Sequence, residues 1–277
     1  MGAVTQVGPG DVGQVYSFLE RAPYENLMLA ARLAEFGLDR RRLGRLLAYR
    51  NPAGEISALC LDGGTVFVTG YDSAAVAHFV RELGSFRIAT SIVGPSFSAL
   101  GLFVGLSARW GDMWAVNSNI RYTQPLMVLD EPVAGDVDPR VVRLDESVYD
   151  SYLAASVDMY TAEIGSSPFK YGPGYETYVL ERLRQGDAWG IVENDEVIFK
   201  ADLGPRFGDQ VQVQGVWVRP DLRGRGIAVP ALAAMLTDVQ RGFPVVSLYV
   251  NDFNLPAIRT YERLGFRTVA TLSTIHY

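Results

Sequence analysis

The sequence contains very few of the side chains that bind metal ions or form disulfides. Cys60 is the single cysteine of the 277 residues, and His78 and His276 are the only histidines. One cysteine cannot form an intrachain disulfide, and two separated histidines cannot build a histidine- or cysteine-rich metal cluster. We therefore expect no metal site. The lack of cysteine pairs, and of a basic-then-apolar signal peptide at the start, favours a cytoplasmic location.

The sequence also has fewer basic than acidic residues. Lys and Arg number 25 against 31 Asp and Glu, which gives a formal net charge of −6. Such a chain lacks the field that draws phosphate backbones to a protein surface, so we expect no nucleic-acid partner. Hydrophobic residues make up 48% of the chain and charged residues 20%. This is the composition of a globular protein, with one large domain or two ordinary ones.

Long apolar runs are absent except over residues 88–108, which carry no charge. A membrane span needs about 20 predominantly apolar residues, but Gly94-Pro95 interrupts this run and four serines dilute it. The pattern favours a strand over residues 88–93, a turn, and a buried helix over residues 96–108. We therefore expect no membrane partner.

Alternating helix and strand patterns predict an α/β chain with a mixed sheet in two parts. An acidic run rich in structure breakers, at residues 130–139, marks a boundary. We predict one domain over residues 1–135 and a second over residues 136–277. Residues 109–119 read as irregular and residues 145–157 as a helix.

The strongest motif begins where a predicted strand over residues 210–218 ends. Pro220 stops the strand, and Arg223-Gly224-Arg225-Gly226-Ile227-Ala228 leads into an apolar helix. A strand that meets a helix N-terminus directs several free backbone N–H groups at one point, and glycines let a diphosphate approach that backbone. No Gly-Lys-Ser/Thr follows, which excludes a nucleotide P-loop. For this loop alone, a strand–helix turn that merely contains glycines is the alternative.

A second motif lies downstream. Asn254 is a suitable helix N-cap and Gly265 a suitable helix end. Ala257 and Tyr261 are four residues apart and share one helix face, so a small side chain beside a tyrosine leaves room for a ligand. Taken alone, a core tyrosine with a satisfied hydroxyl is the simpler explanation.

Together the two motifs resemble the GNAT superfamily of N-acetyltransferases. The loop pattern of that family is Gln/Arg-x-x-Gly-x-Gly/Ala, and residues 223–228 fit it at every fixed position. Its second pattern matches Asn254, Ala257, Tyr261 and Gly265-Phe266. The resemblance covers about residues 141–277 and implies a GNAT fold in the C-terminal half.

The resemblance implies a site for acetyl-CoA as co-substrate. Backbone N–H groups of the loop would hold the pyrophosphate, and the preceding strand, splayed from the next one, would pair with the pantetheine arm. Tyr261 would protonate the leaving thiolate, and the N–H of Val218 would stabilise the oxyanion. The implied cofactor-binding residues are Val216, Trp217, Val218, Arg223, Gly224, Arg225, Gly226, Ile227, Ala228, Asn254 and Tyr261.

The general base is less well defined by the sequence. Members of the family often carry a carboxylate on the strand before the loop, where this sequence has Gln212 and Gln214. The candidates are Glu163, which we expect in a loop at the acceptor entrance, Asp202, and the C-terminal carboxylate of Tyr277. A water chain would serve as well, and for each acid a purely structural or solvated role is the alternative. Glu163 joins Tyr261 in the predicted catalytic pair.

The N-terminal half resembles the first domain of bacterial two-part members of the family, in which a degenerate acetyltransferase-like domain precedes an active one. Ile92-Val93-Gly94-Pro95 and Gln124-Pro125-Leu126 carry this resemblance. Residues 8–13 satisfy G-x-G-x-x-G, but they lack the preceding strand and the acidic residue that a dinucleotide site needs. Since one family strand is missing after Tyr261, we expect the first half to complete the sheet.

These observations predict an N-acetyltransferase that moves acetyl from acetyl-CoA to a primary amine by direct attack in a ternary complex. The alternative is a non-catalytic acyl-CoA sensor or scaffold, which the absent strand carboxylate motivates; a longer acyl group is a further variant. The acceptor is a small-molecule or protein amine: a polyamine, an amino sugar, an antibiotic, an amino acid or a protein. The resemblance to the family also suggests a homodimer.

Overall fold

A computed structural model of the protein describes residues 2–172 and 174–277. The strands are, in chain order, β1 (Ala3–Gln6), β2 (Arg45–Arg50), β3 (Ile56–Asp62), β4 (Thr65–Thr69), β5 (Ser91–Pro95), β6 (Asn119–Leu129), β7 (Val142–Arg143), β8 (Ala188–Glu193), β9 (Glu196–Phe207), β10 (Gln210–Val218), β11 (Val245–Tyr249) and β12 (Arg267–His276). The helices are α1 (Val12–Leu19), α2 (Pro23–Phe36), α3 (Ser73–Leu83), α4 (Ser96–Trp110), α5 (Asp112–Ala115), α6 (Tyr149–Ile164), α7 (Gly174–Arg184), α8 (Ala228–Val239) and α9 (Leu255–Arg263). The mixed α/β architecture predicted from the sequence is confirmed.

The chain forms two compact units that interleave along the sequence. Unit 1 comprises the residues up to Leu126 together with Tyr249–Asn254 and Thr268–Tyr277. Unit 2 comprises Met127–Leu248 and Leu255–Arg267. The last strand therefore belongs with the first half of the chain.

The sheet of unit 1 has the strand order β1-β2-β3-β4-β5-β12-β6. Strands β4 and β5 are parallel, and α3 connects them. Strand β12 runs antiparallel to β5, with Leu272 opposite Pro95 and His276 opposite Ser91. The expectation that the first half completes the sheet beside the final strand is confirmed.

The apolar run at residues 88–108 forms a strand and then a helix, as predicted, but the predicted turn at Gly94-Pro95 is wrong: both residues belong to β5, which begins at Ser91 and is followed directly by α4. Its buried side, including Ala99, Leu102 and Leu106, packs into the core of unit 1. Among residues 2–172 and 174–277, no helix has the length and apolar character that crossing a bilayer requires.

The prediction that residues 109–119 are irregular is wrong in part. Helix α4 continues to Trp110, and α5 follows after Gly111, whose φ of +64° permits the sharp change of direction. The indole of Trp110 donates to the Val80 carbonyl at 2.9 Å, and that of Trp114 to the Gly84 carbonyl at 3.0 Å. These tertiary contacts order a segment that has no clear periodicity of its own.

Helix α3 of unit 1 is capped by a carboxylate. Oδ1 of Asp72 accepts hydrogen bonds from the amides of Ala74 and Ala75 at 2.9 and 3.2 Å, and the Ser57 hydroxyl donates to Oδ2 at 2.9 Å. The carboxylate therefore already fills the position that an anionic ligand would take at this helix N-terminus.

Replacing Asp72 with Ala should lower the free energy of unfolding by about 1 kcal/mol, because two amides and one hydroxyl lose their acceptor. Urea denaturation of the variant measures the change. Asp72→Asn is the control, since its amide oxygen can still cap the helix. Equal stability of Asp72→Ala and the wild type would show that the cap contributes nothing.

The sheet of unit 2 has the strand order β11-β10-β9-β8-β7, in which only β10 and β11 are parallel among the pairings described. On one face, α6 and α7 pack over the sheet through Tyr152, Val179 and Ala188. The next residue of β8, Trp189, points the other way, and its indole donates to Asp238 of α8 at 3.3 Å. Because successive strand residues face opposite sides, α8 covers the second face.

Candidate active site

Strands β10 and β11 pair only at their beginnings. Gln210, Val211 and Gln212 lie opposite Val245, Val246 and Ser247, and no pairing between the two strands follows within the described residues. The remainder of β10 is therefore free of hydrogen bonds to β11, and a gap opens between the strands.

A bulge bends β10 just beyond the point where its pairing with β11 ends. Gln214 lies opposite Asp202 of β9, whereas Trp217 lies opposite Lys200, so β10 has one residue more than β9 between these pairs. Gly215 has a φ of +64°, the left-handed conformation that a bulge with a leading glycine requires. The bulge changes the direction of the backbone groups that follow it.

The amide of Val218 points into the gap. Arg219 donates its N–H to the carbonyl of Ile198 on β9 at 2.9 Å, and Val218 lies opposite Phe199. Hydrogen-bonded and non-hydrogen-bonded pairs alternate along an antiparallel ladder. The N–H of Val218 therefore faces away from β9, as does its carbonyl, which accepts a hydrogen bond from Nε of Arg223 at 3.0 Å.

The loop between β10 and α8 presents its backbone to solvent. Gly224 and Gly226 have φ values of +76° and +80°, and a Cβ added at either position would meet no atom within 4 Å. Within the described part of the chain, the amides of residues 224–228 donate to no carbonyl or side chain. No side chain caps α8, and its first turn contains no acid. This is the environment in which a helix N-terminus binds an anion.

Helix α6 is tied to this loop. Asp158 accepts a hydrogen bond from Nε1 of Trp217 at 2.7 Å and lies 3.8 Å from the guanidinium of Arg223. The C-terminal half of α6 therefore lies beside the end of β10.

Tyr261 and Glu163, the predicted catalytic pair, are brought near each other. The Tyr261 side chain is 7% exposed and packs against Phe266 with ring centroids 5.8 Å apart. Burial, and to a smaller extent the charge of Glu163, raises the pKa of the Tyr261 hydroxyl above its ordinary value. A hydroxyl of this kind stays protonated and can serve as an acid.

The expectation that Glu163 lies in a loop is wrong. Helix α6, predicted to end near Val157, runs on to Ile164, and Gly165 ends it with a φ of +81°. Glu163 is seven residues beyond the buried Ser156 and eleven beyond Tyr152, so it shares their helix face. The exposed carboxylate thus projects from the last helical turn.

Four rings, those of Tyr160, Phe169, Tyr175 and Tyr178, form an aromatic cluster between α6 and α7. The ring of Tyr175 lies 5.4 Å from Tyr160, 6.2 Å from Phe169 and 6.0 Å from Tyr178, measured between centroids. Burial chiefly, with the charge of Glu163 among the smaller causes, raises the pKa of the Tyr175 hydroxyl. Glu163 therefore lies within electrostatic reach of both the aromatic cluster and Tyr261.

The other candidate bases have different surroundings. Asp202 is 5% exposed, forms a salt bridge with Lys200 and accepts a hydrogen bond from the hydroxyl of Tyr152 at 2.8 Å. The oxygens of this carboxylate are therefore already occupied by a cation and a hydroxyl donor. Tyr277 belongs to unit 1, where its ring packs edge-on against Trp114 at 5.9 Å.

Asn254, another predicted cofactor residue, is grouped with unit 1 and precedes α9; its amide donates to the Asn251 carbonyl at 2.9 Å. Sequence analysis missed the bulge, the aromatic cluster and the buried partners of Asp202. One signal was present: a glycine inside a strand, here Gly215, often marks a bulge. In residues 2–172 and 174–277, no group of three or more His, Cys, Asp or Glu side chains could hold a metal ion.

Comparisons with known proteins agree with this architecture. The acetyltransferase (GNAT) family model matches residues 155–266, and a model described as a domain of unknown function, DUF4081, matches residues 44–152. The acetyltransferase Atu2258 of Agrobacterium fabrum is 38% identical over 102 residues, which cover 35% of this chain and 74% of that protein. Mycothiol acetyltransferase of Rhodococcus opacus is 28% identical over 167 residues, 53% of this chain and 54% of that protein. The chain thus spans about half the length of the latter relative.

Solved structures show the same fold along the whole chain. A GCN5-related N-acetyltransferase from Sphaerobacter thermophilus superposes with a TM-score of 0.57 at 14% identity, covering 100% of this chain and 95% of that one. A tandem GNAT protein from the clavulanic acid biosynthesis pathway gives 0.52 at 16%, covering 100% and 98%. Unit 2, with a parallel strand pair that separates before a glycine-rich loop, has the fold of an acetyltransferase. The chain belongs to the GNAT family.

Proposed function

We propose that the protein transfers an acetyl group from acetyl-CoA to a primary amine by direct attack within a ternary complex. The observation that carries the proposal is the set of unpartnered amides at residues 224–228, which lies at the end of the strand whose Val218 N–H faces the gap. The loop amides and the N-terminus of α8 would bind the pyrophosphate, and the free edge of β10 would bind the pantetheine arm.

In the reaction, the amine nitrogen forms a bond to the thioester carbonyl carbon and the C–S bond breaks. The N–H of Val218 stabilises the oxyanion of the tetrahedral intermediate. The hydroxyl of Tyr261 gives its proton to the leaving thiolate, and the carboxylate of Glu163 takes the proton that the nitrogen loses. The products are the amide and CoA, and solvent restores the two side chains.

Direct attack is favoured because the single cysteine is unsuited to carry the acetyl group. Cys60 is fully buried in strand β3 of unit 1, and burial raises the pKa of its thiol. A buried thiol in apolar surroundings is inert, since the thiolate is the nucleophile.

The acceptor that fits best is a cationic amine with an apolar or ring-shaped body. The aromatic cluster offers ring faces that attract cations, and Glu163 supplies a negative charge beside it. Because one relative is named mycothiol acetyltransferase, an amine related to mycothiol is one candidate acceptor.

A panel of primary amines, with release of the CoA thiol as the readout, tests the proposal. The matched controls are the same amines fully methylated at nitrogen, which cannot form an amide. Release that requires a primary amine, with intersecting initial-velocity lines, is the expected result. Parallel lines would contradict a ternary complex. Saturable acetyl-CoA binding with no transfer to any amine would instead favour a sensor, the alternative that Gln212 and Gln214 motivate.

Glu163→Gln should lower kcat/KM for the amine by about 100-fold, because a general base contributes about 10²–10⁴ in rate. Initial rates at saturating acetyl-CoA measure the effect. Glu176→Gln, an exposed acid in the first turn of α7, is the control and should retain wild-type kinetics. Unchanged kcat/KM in Glu163→Gln would show that Glu163 is not the base and would favour the water chain instead.

A further inference from the structure

A buried ion pair lies directly against the β10 bulge and has no part in the chemistry described so far. Lys200 and Asp202, which are 1% and 5% exposed, are two residues apart on β9 and point to the same face. Their side chains form a salt bridge. Tyr152 of α6 completes the group: its hydroxyl bonds to Asp202 at 2.8 Å, and Nζ of Lys200 lies 4.9 Å from its ring centroid.

Stability alone does not explain why these charges are buried. Removing two charges from water is costly, and a well-packed apolar pair often supports a fold equally well or better. Stability is therefore a weak explanation for this pair, and a role that depends on its position in the sheet is the alternative.

The position of the pair relative to the bulge supplies that role. Asp202 and Lys200 are the β9 partners of Gln214 and Trp217, the residues that bracket the bulge. A Cβ added to Gly215 would overlap Oδ2 of Asp202 and lie 3.0 Å from Nζ of Lys200. The pair therefore packs against the backbone of Gly215, one of the two residues of β10 between the pairs that bracket the bulge.

We propose that Lys200 and Asp202, held by Tyr152, are positioning residues that fix the β10 bulge and so direct the N–H of Val218 at the thioester carbonyl. Removing the bulge would shift the register of β10 by one residue, and a shift of one residue reverses which way each group faces. The amide of Val218 would then turn toward β9. The inference rests on the proposed acetyl-CoA site.

The test is the double variant Lys200→Met/Asp202→Leu, which replaces the pair with apolar side chains. The readout is the ratio of the dissociation constants of CoA and acetyl-CoA, measured by calorimetry, since only acetyl-CoA carries the thioester carbonyl that the Val218 N–H would bind. In the wild type this ratio should be about three to ten, the effect of one hydrogen bond. In the variant it should fall to about one, while CoA affinity and melting temperature stay near wild type.

Asp187→Asn is the matched control. Asp187 is 2% exposed and paired with Arg182 at 3.4 Å and with Arg206, but it lies before β8 and has no contact with the bulge among the contacts described. This variant loses a buried charge and should melt at a lower temperature while keeping the wild-type ratio.

A double variant that folds and keeps the wild-type ratio would overturn the inference. If the double variant does not fold, Tyr152→Phe replaces it: loss of the hydroxyl should lower the ratio, and an unchanged ratio would reject the role. Because the readout is binding, it is independent of turnover. If the wild type binds acetyl-CoA more tightly than CoA but transfers no acetyl group, the proposed enzymatic function is rejected. The positioning role of Lys200 and Asp202 is then still supported.

Discussion

Gly224→Glu should abolish acetyl-CoA binding, raising the dissociation constant by at least about 100-fold, equivalent to about 2.7 kcal/mol. Two causes act together. The φ of +76° is strained for any residue with a Cβ, and the new carboxylate enters the ring of amides that would hold the pyrophosphate. A negative charge there repels the diphosphate and can itself bind the free N–H groups of α8. Calorimetric titration with acetyl-CoA measures the loss.

A matched control is available in Gly208, in the turn between β9 and β10. It has a φ of +60°, and a Cβ there would also meet nothing within 4 Å. Gly208→Glu therefore introduces the same strain and the same charge away from the loop, and it should bind acetyl-CoA as the wild type does. If both variants lose affinity equally, or if neither does, the loop at residues 223–228 is not the pyrophosphate site.

Tyr261→Phe should reduce kcat by about 100-fold or more while leaving the affinity for acetyl-CoA within a factor of about two, because a general acid contributes about 10²–10⁴ in rate. Phenylalanine preserves the packing against Phe266 and removes only the hydroxyl, the proposed proton donor. Steady-state kinetics and calorimetry separate the two effects. Tyr149→Phe, which removes a hydroxyl at the start of α6, is the control.

The pH dependence adds a second check on Tyr261. Burial, followed by the charge of Glu163, raises the pKa of its hydroxyl above the ordinary value of about 10. The acid therefore remains protonated through neutral and mildly alkaline pH, and turnover should not fall as the pH rises from about 7 to about 9. If kcat instead falls between about pH 7 and about pH 9 in the wild type, and this fall is absent in Tyr261→Phe, the hydroxyl titrates in that interval. That result would contradict the raised pKa.

The glycine loop could be predicted from the sequence because its structure is local. Gly224 and Gly226 occupy positive φ angles that few other residues adopt, and Pro220 stops the strand before them. The sequence places Glu163 in a loop because helix ends depend on where a left-handed cap falls, and Gly165 supplies that cap about two turns later than the apolar pattern suggests.

The buried ion pair could not be predicted in the same way. Lys200 and Asp202 are two charged residues at alternate strand positions, which usually indicates a solvent-facing edge. Away from water, Asp202 is satisfied by Lys200 and by a tertiary hydrogen bond from Tyr152, which lies 50 residues earlier in the chain. The register of β10 against β9 is likewise a tertiary property, although Gly215 hints at the irregularity.

The carboxylate of Asp72 has a consequence for stoichiometry. Each unit has a parallel strand pair joined through a helix, yet in unit 1 the amides that begin this helix already have an internal anion. Titration should therefore saturate at one equivalent of CoA per chain. Glycines inserted after β4 would not create a second site, because the carboxylate of Asp72 would still occupy the same amides. A second site would require removal of that carboxylate first, at the expense of the helix that it stabilises.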